Sequence, residues 1–479
     1  MSDIAQNWIA GEWLPAKTVG TSRNPATGEV VGEFADGGAA EADAAIAAAR
    51  RAFRGTGWSR DRALRHRVLA ELADRFDARA EALAASLTRE NGKTLFEARL
   101  ELGLVSATLR YAAGQALTSA GVAAEALPGT FFSTLAEPVG VVSVIVPWNA
   151  PIALFIRSLA PALAAGNAVV AKLPAQTAIT NALVSEVIAS VEALPAGIVN
   201  IFTESGNAGA PRLVDSPGVD VVSYTGSVEV GRRVGAAAGA ALKRVNLELG
   251  GKSPMIVFDD ADLERALPLL VQGLIVTAGQ FCMAGTRILV QRGIADVVRD
   301  RLAAMLSQVV VGPGDAPDSQ MGPLIDNASV DRVEAFVEAA LAYAKPIVRG
   351  GRAVDGPLAA GAFFRPCLLE VEDLDVPLVQ EEIFAPVGTF EVFEDEADAV
   401  RRANATQFGL AAAVFTRDGA RARRVSREVE AGTVWTNGYF ALDDGFAEGG
   451  YKSSGVGRLR GPLGLAEFQE AKTYVEVAE

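Results

Sequence analysis

The sequence predicts an α/β fold of two doubly wound parallel-sheet domains plus a small β oligomerisation element. Three observations carry this. From Val139 onward, short β-branched runs alternate with helical stretches, and near-continuous apolar strands of that kind belong to parallel sheets covered on both faces. The runs form two series, with a double glycine, Gly250-Gly251, between them. The chain has 479 residues and is 50% hydrophobic. At about 150 residues per domain, that length is enough for two or three domains, each with its own core.

The elements follow in order. The first ~120 residues read as mostly helical. Ala39–Arg54 is alanine-rich with apolar residues at helical spacing, and Leu64–Leu87 repeats the pattern with alternating charges on its outer face. "TFFSTLAE" (130–137) reads as a lone strand. The first series is "VGVVSVIV" (139–146), "NAVVA" (167–171), "IVNIF" (198–202), "VDVVSY" (219–224) and "RVNLEL" (244–249). Helices are expected between them over Ile152–Ala164, Thr177–Ala193 and Val228–Ala240. The second series is "PMIVF" (254–258), "RILVQ" (287–291), "VGTFEVF" (387–393), "LAAAVFT" (410–416) and "GTVWTN" (432–437). The closing "KTYVEVAE" (472–479) alternates like an exposed strand. Two lone strands need an edge to pair with; each other, or a subunit contact, satisfies that need.

Composition excludes several classes. The net charge of −14 argues against a nucleic-acid partner, which needs a basic surface. The first residues lack a basic stretch followed by an apolar one, so no signal peptide is expected. The longest apolar candidate, Ala150 to Ala171, is broken by Arg157, Pro161, Gly166 and Asn167, so no membrane span is expected. Two cysteines make no disulfide framework and fit a reducing, cytoplasmic setting. The one histidine, His66, lies in a charged helix and reads as solvated. It leaves no histidine dyad and no usual zinc site, so no metal is expected. No G-x-G-x-x-G hexapeptide or Walker A loop occurs; "GVGRLRG" (455–461) has the wrong spacing.

Three short stretches carry chemistry. Cys282 lies in "GQFCMAGT" (279–286), where small neighbours let backbone N–H groups approach a substrate oxygen. It reads as a nucleophile or as a small core residue; Cys367, in "RPCLLEV", reads as structural. Asn149, in "PWNAP" (147–151), directly follows a strand, where doubly wound sheets place functional groups. Its amide can stabilise an oxyanion or cap the next helix. Glu248, in "NLELGGKSP" (246–254), stands in an apolar strand end, where desolvation raises a carboxyl pKa. It reads as a general base or as the buried partner of a lysine such as Lys252.

Taken together, "EPVGVVSVIVPWNAP", "SYTGSVEVG", "ELGGKSP", "GQFCMAGTR", "EEIFAPVG" and "GGYKSSGVGR" stand in the order and approximate spacing of the aldehyde dehydrogenase superfamily. The chain resembles that family over nearly its whole length. The resemblance implies a Rossmann-like cofactor domain over 1–124 and 139–250, a catalytic domain over 251–440, and an oligomerisation element over 125–138 and 460–479. It implies oxidation of a small-molecule aldehyde to a carboxylic acid by a homodimer or homotetramer. Cys282 would be the nucleophile, Asn149 and the Cys282 N–H the oxyanion hole, and Glu248 the base that activates water for thioester hydrolysis. A CoA-acylating semialdehyde dehydrogenase or a non-catalytic cofactor-binding relative are the alternatives; Glu248 counts against the first.

By the same resemblance, Val146, Pro147 and Trp148 border the cofactor, and Gly226, Ser227 and Gly231 open the helix at its diphosphate. Leu249, Gly250, Glu382 and Phe384 match the nicotinamide end, and Lys172 and Ala175 the adenosine ribose. Ala175 stands where many NAD-preferring relatives carry a ribose-binding glutamate, so NADP is expected to be used alongside NAD. Ala150, Arg157, Phe281, Met283 and Phe440 match the substrate pocket. Ala150 replaces a common phenylalanine and implies a wider tunnel. Arg157 and Ser158 stand where many relatives have tryptophan and lysine. This resembles dehydrogenases of the vanillin and benzaldehyde type, and also succinic semialdehyde dehydrogenases, in which an arginine meets the substrate carboxylate. "FAEGG" (446–450) replaces the usual proline-aromatic pair.

Overall fold

The structure, a computed structural model, describes residues 4–118, 121–354 and 356–478. Its first sheet has five parallel strands at its centre, in the order Arg244–Glu248, Val221–Thr225, Val141–Ile145, Ala168–Pro174 and Val199–Glu204. The chain therefore starts in the middle, winds two strands one way, and returns to wind two the other way. The switch point falls between Val141–Ile145 and Val221–Thr225, and a crevice opens at the carboxyl ends of strands at such a point. Both residues 147–149 and residues 226–227 leave the sheet there.

The second sheet has seven strands. Pro254–Val257 lies between Arg287–Gln291 on one side and Ala411–Phe415 on the other, and Thr433–Thr436 forms one edge. Beyond Arg287–Gln291 come Val387–Phe393 and Cys367–Glu370, both parallel, and then Lys345–Val348, antiparallel. Each sheet has its own apolar core: residues 9–249 with 459–468 pack about the first, and the core of the second lies within 255–435. Among the described residues no helix is long and apolar enough to cross a membrane.

Local chemistry explains the helices that flank the site. Ala39–Gly55 buries Ala42, Ala45, Ile46 and Ala49, an i, i+3, i+4, i+7 stripe whose small side chains allow close approach to the sheet. Arg62–Asn91 starts at Asp61, whose side chain accepts from Leu64 N, and stops at Gly92 in the left-handed region at φ 85°. A Cβ on Gly92 would lie 2.6 Å from Pro323. The stop delivers Lys93 directly to the site described below.

Several expectations need correction. The first 36 residues are largely strands rather than helices: Asn7–Ile9 and Glu12–Leu14 form a hairpin that extends the first sheet, and Thr18–Arg23 pairs with Val30–Asp36. These strands are short and stabilised by long-range pairing, which leaves no periodic signal. Lys345–Val348 and Cys367–Glu370 were not expected as strands either, for the same reason. "GVGRLRG" holds an unexpected edge strand, Gly455–Val456, antiparallel to Arg244–Glu248 with Gly455 opposite Glu248. His66 is half-buried, with Nδ1 3.0 Å from the Ala113 carbonyl, because it faces the neighbouring helix Leu95–Thr118. Cys367 is fully buried, as expected.

The lone strands pair within one chain: Gln469–Val477 and Val122–Leu127 flank Thr130–Pro138 in an antiparallel three-stranded sheet. Residue 479 of the expected tail strand lies outside the described residues. The sheet begins earlier than 125 because Val122 already pairs with Thr134. It resumes later than 460, because Leu465 and Phe468 are buried in the first core.

Candidate active site

Cys282 follows the 3-10 turn Val276–Gly279 and precedes the strand Arg287–Gln291. The turn is strained: Thr277 and Ala278 have φ of 49° and 54°, a region that costs non-glycine residues energy. Gly279, at φ 69°, is required twice over, since a Cβ there would lie 2.2 Å from the Ala385 carbonyl carbon. Side chains from elsewhere hold the loop in place. Glu97 accepts from Thr277 N at 2.6 Å, and Gln280 accepts from Ile325 N at 2.9 Å while donating to the Thr277 carbonyl at 3.3 Å.

Asn149 reaches the same loop from the first sheet. Its Nδ2 donates to the Gln280 carbonyl at 3.0 Å, and its Oδ1 accepts no hydrogen bond from any described residue. It is not the cap of helix Pro151–Ala165. Glu101 takes that role, accepting from Ile152 N and Ala153 N at 3.0 and 3.1 Å. The other Glu101 oxygen pairs with Lys93 at 2.5 Å, and Lys93 donates to the Asn149 carbonyl at 2.7 Å. A buried ion pair thus fixes the asparagine backbone.

Glu248 ends the strand Arg244–Glu248 and is buried, with Oε1 unpartnered among the described residues. Its nearest cation is Arg157, at 3.7 Å, not Lys252. Burial pushes the Glu248 carboxyl up to about 7; Arg157 opposes the rise and Glu448 adds to it. Lys252 is buried without a described hydrogen-bond partner, and burial with the nearby Arg287 brings it down to about 7. The Cys282 thiol is pushed up to about 12 by burial, against the pull of Arg157. It must lose that proton before it can attack a carbonyl carbon.

Two cavities meet at Cys282. One, mostly apolar, is bordered by Ala150, Leu154, Phe281, Met283, Phe440 and Leu442, with Arg157, Glu448 and Arg460 along one wall. Phe281 and Phe440 pack edge to face at 5.0 Å. Arg157 has a carboxylate partner within the chain, Glu448.

The second cavity, about 320 Å³, is a cleft at the switch point of the first sheet, bordered by Trp148, Gly226, Ser227, Leu249, Glu382 and Phe384 among others. Pro147 and Gly250 also line it. Ser227 caps helix Val228–Ala240, and a helix N-terminus beside a glycine suits a diphosphate. Glu382 accepts from Gly251 N at 3.1 Å, and burial pushes it up to about 7. Hydroxyl donors from a ribose would complete it. A Cβ on Gly250 would stand 2.2 Å from Glu382 Oε2, so only glycine admits that carboxylate. Phe384, at φ 58°, packs edge-on to Trp148 at 5.6 Å. This set fits a nicotinamide dinucleotide.

The remaining expected cofactor residues lie outside the cleft lining. Val146 is buried beneath it. Gly231 lies on the inner face of its helix, where a Cβ would meet Leu249 at 2.4 Å, so its role is close packing. Lys172 and Ala175 lie at the far end, on and just after the strand Ala168–Pro174. Burial lowers the Lys172 pKa against the attraction of Glu204 and Asp36. Glu204 is committed to the backbone of residues 208–210, and Asp36 to Ser205.

Sequence reasoning missed Lys93, Glu101, Glu97 and Gln280, which hold Asn149 and the cysteine loop, and Glu448 with Arg460. Only the departure at "FAEGG" signalled the last pair.

Comparison with known proteins agrees with this geometry. The model of the "Aldehyde dehydrogenase family" matches residues 13–474. The chain is 36% identical to phenylacetaldehyde dehydrogenase of Pseudomonas fluorescens, over 98% of this chain and 95% of that protein. It is 35% identical to betaine aldehyde dehydrogenase of Bacillus subtilis, over 97% and 96%. A crystal structure of betaine aldehyde dehydrogenase from Staphylococcus aureus in complex with NAD+ superposes with a TM-score of 0.97 at 36% identity, covering 100% of this chain and 95% of that one. With a cysteine at the junction of two cavities and a family match across almost all its length, this chain belongs to the aldehyde dehydrogenase family, and it is an NAD(P)-dependent enzyme that oxidises aldehydes to carboxylic acids.

Proposed function

We propose that the substrates are uncharged, apolar aldehydes, aromatic and arylalkyl ones among them, and that Cys282, Asn149 and Glu248 carry the reaction. The observation behind the roles is the cysteine's position, open to an apolar cavity on one side and to a dinucleotide cleft on the other. The observation behind the substrate class is the matched charge of the polar wall. Arg157 and Arg460 both contact Glu448, so neither cation is left for a substrate carboxylate.

Cys282 gives up its proton to solvent, and the thiolate attacks the aldehyde carbon. The carbonyl π electrons move to oxygen, where the second Asn149 Nδ2 proton and the Cys282 N–H stabilise them; losing one such donor typically costs ~10²–10³ in rate. A bound nicotinamide would supply the hydride acceptor, in the cleft lined by Trp148, Glu382 and Phe384. Glu248 then takes a proton from water as the water attacks the thioester. The C–S bond breaks, the Cys282 thiolate leaves, and the acid is released.

The first sheet is read as the cofactor domain, the second as the catalytic domain, and the three-stranded sheet as the subunit contact. The NAD+ complex of the Staphylococcus aureus relative supports the same dinucleotide class here. Ala175 supports acceptance of NADP as well: no carboxylate stands there, and Glu204 and Asp36 are committed elsewhere.

Two variants test the roles. Cys282→Ala is expected to abolish oxidation while cofactor affinity, read by protein fluorescence, stays unchanged. Glu248→Gln is expected to give a burst of reduced cofactor followed by a slow steady rate; loss of the burst as well would place Glu248 earlier in the reaction.

A further inference from the structure

Arg157 presents one nitrogen to two carboxylates. Its Nη1 donates to Glu448 Oε1, and Glu248 Oε2 lies 3.7 Å from the same atom, beyond hydrogen-bond reach. Nη2 donates to Thr225 Oγ1 at 3.1 Å. Glu448 does not yield easily. Its second oxygen accepts from Arg460 Nε at 2.7 Å, and its backbone exchanges two hydrogen bonds with Leu459 at 2.7 and 2.8 Å. Arg460 is anchored in turn by Asp444. Charges therefore alternate from Asp444 through Arg460, Glu448 and Arg157 to Glu248.

We propose that Glu448 is a positioning residue, which holds the Arg157 guanidinium off Glu248 and so keeps that base free to take a proton. The inference rests on the reading of Glu248 as the base. A buried guanidinium must have an anion beside it. With Glu448 present that anion is Glu448; without it, Glu248 is the nearest one left, and it would close onto Arg157 as a tightly held carboxylate. The charged and titratable groups facing Glu248 are Arg157 from helix Pro151–Ala165, Glu448, Arg458 and Arg460 from the 440–460 segment, and the Cys282 thiol. Two of the cations, Arg157 and Arg460, are bound by Glu448, so its charge controls how much of their field Glu248 feels.

The test uses full-length Glu448→Gln and Arg460→Gln, with pH profiles of the steady rate. In Glu448→Gln the acid limb should move down by about one pH unit, since an added close cation shifts a carboxyl by 1–3. Its plateau should fall roughly ten-fold, with the burst of reduced cofactor retained. In Arg460→Gln the limb should move up. Glu448→Asp keeps the charge and should restore the wild-type limb. Limbs that move the same way or stay put, with only lower thermal midpoints, would reduce Glu448 to packing and overturn the proposal. Equal limbs in Glu448→Asp and Glu448→Gln would do the same. Should Glu448→Gln not fold, a downward or absent shift in Arg460→Gln overturns it alone. Failure of the base reading is separable: Glu248→Gln would then keep its steady turnover whatever Glu448 does.

Discussion

In the proposed reaction Glu248 and Cys282 share a difficulty: each must lose a proton where burial opposes charge. Burial raises the Glu248 carboxyl to about 7, so about half of it is ionised at that pH. The base must be ionised to act; turnover should therefore near its maximum about one pH unit above 7, be half-maximal near 7 and fall further as pH drops. A steady-rate profile flat down to pH 5 would remove Glu248 from the rate-limiting step. Ala175 is the residue proposed to face the adenosine ribose at the other end of the cofactor. A glutamate there would bond both ribose hydroxyls and repel a 2′-phosphate. Charge-assisted bonds of this kind contribute ~1.5–3 kcal/mol, so Ala175→Glu should move the kcat/KM ratio toward NAD by about one to two decades. Wild-type enzyme that strongly rejects NADP, with a ratio unmoved by Ala175→Glu, would mean that other residues set the choice. All three catalytic candidates were legible as residue types in short motifs. Their supports were not, because Lys93 and Glu101 look like any helix charges until the fold brings them to the Asn149 backbone.

At the scale of elements, the second sheet is tied by one buried ion pair. Arg287, on Arg287–Gln291, holds both oxygens of Glu391, on the neighbouring Val387–Phe393, at 2.8 and 2.7 Å, and both side chains are fully buried. Thr389 adds a hydrogen bond to Glu391 at 2.8 Å. Removing one partner leaves an uncompensated charge in the core, so Glu391→Leu should lower unfolding stability by about 3–5 kcal/mol in urea. The double variant Arg287→Met with Glu391→Leu should recover most of it. A single variant as stable as wild type would show that water reaches the site. The central strands were legible because they are apolar on both faces, and the long helices because their stripes repeat. The edge strands were not: Gly455–Val456 is two residues long and exists through its pairing with Leu247 and Glu248.

The whole molecule ends in an apolar arm. Its three strands expose Val122, Leu127, Phe131, Leu135, Val475 and Val477, and Val122 is 76% exposed. Such a surface on an edge sheet calls for a partner, and a second copy is the proposed one. Ending the chain at Phe468 keeps the first core intact and removes the strand Gln469–Val477. The truncated protein should have a lower mass by light scattering than the full chain, with the monomer fold retained by circular dichroism. An unchanged mass would place the subunit contact elsewhere.

What the sequence determined by itself is the part written in local chemistry: two series of buried strands, the candidate residues Cys282, Asn149 and Glu248 in their motifs, and the alanine at position 175. Those signals survive in one dimension because burial on both faces, turn glycines and isolated polar residues each mark their own segment. Only the tertiary structure decided which charges meet. It assigned Glu101 rather than Asn149 to the helix cap, and paired Arg157 with Glu448. It also brought the 440–460 segment beside Glu248. These are pairings between residues up to hundreds apart in the chain, and their energies depend on distance and on exclusion of water, which sequence spacing does not encode.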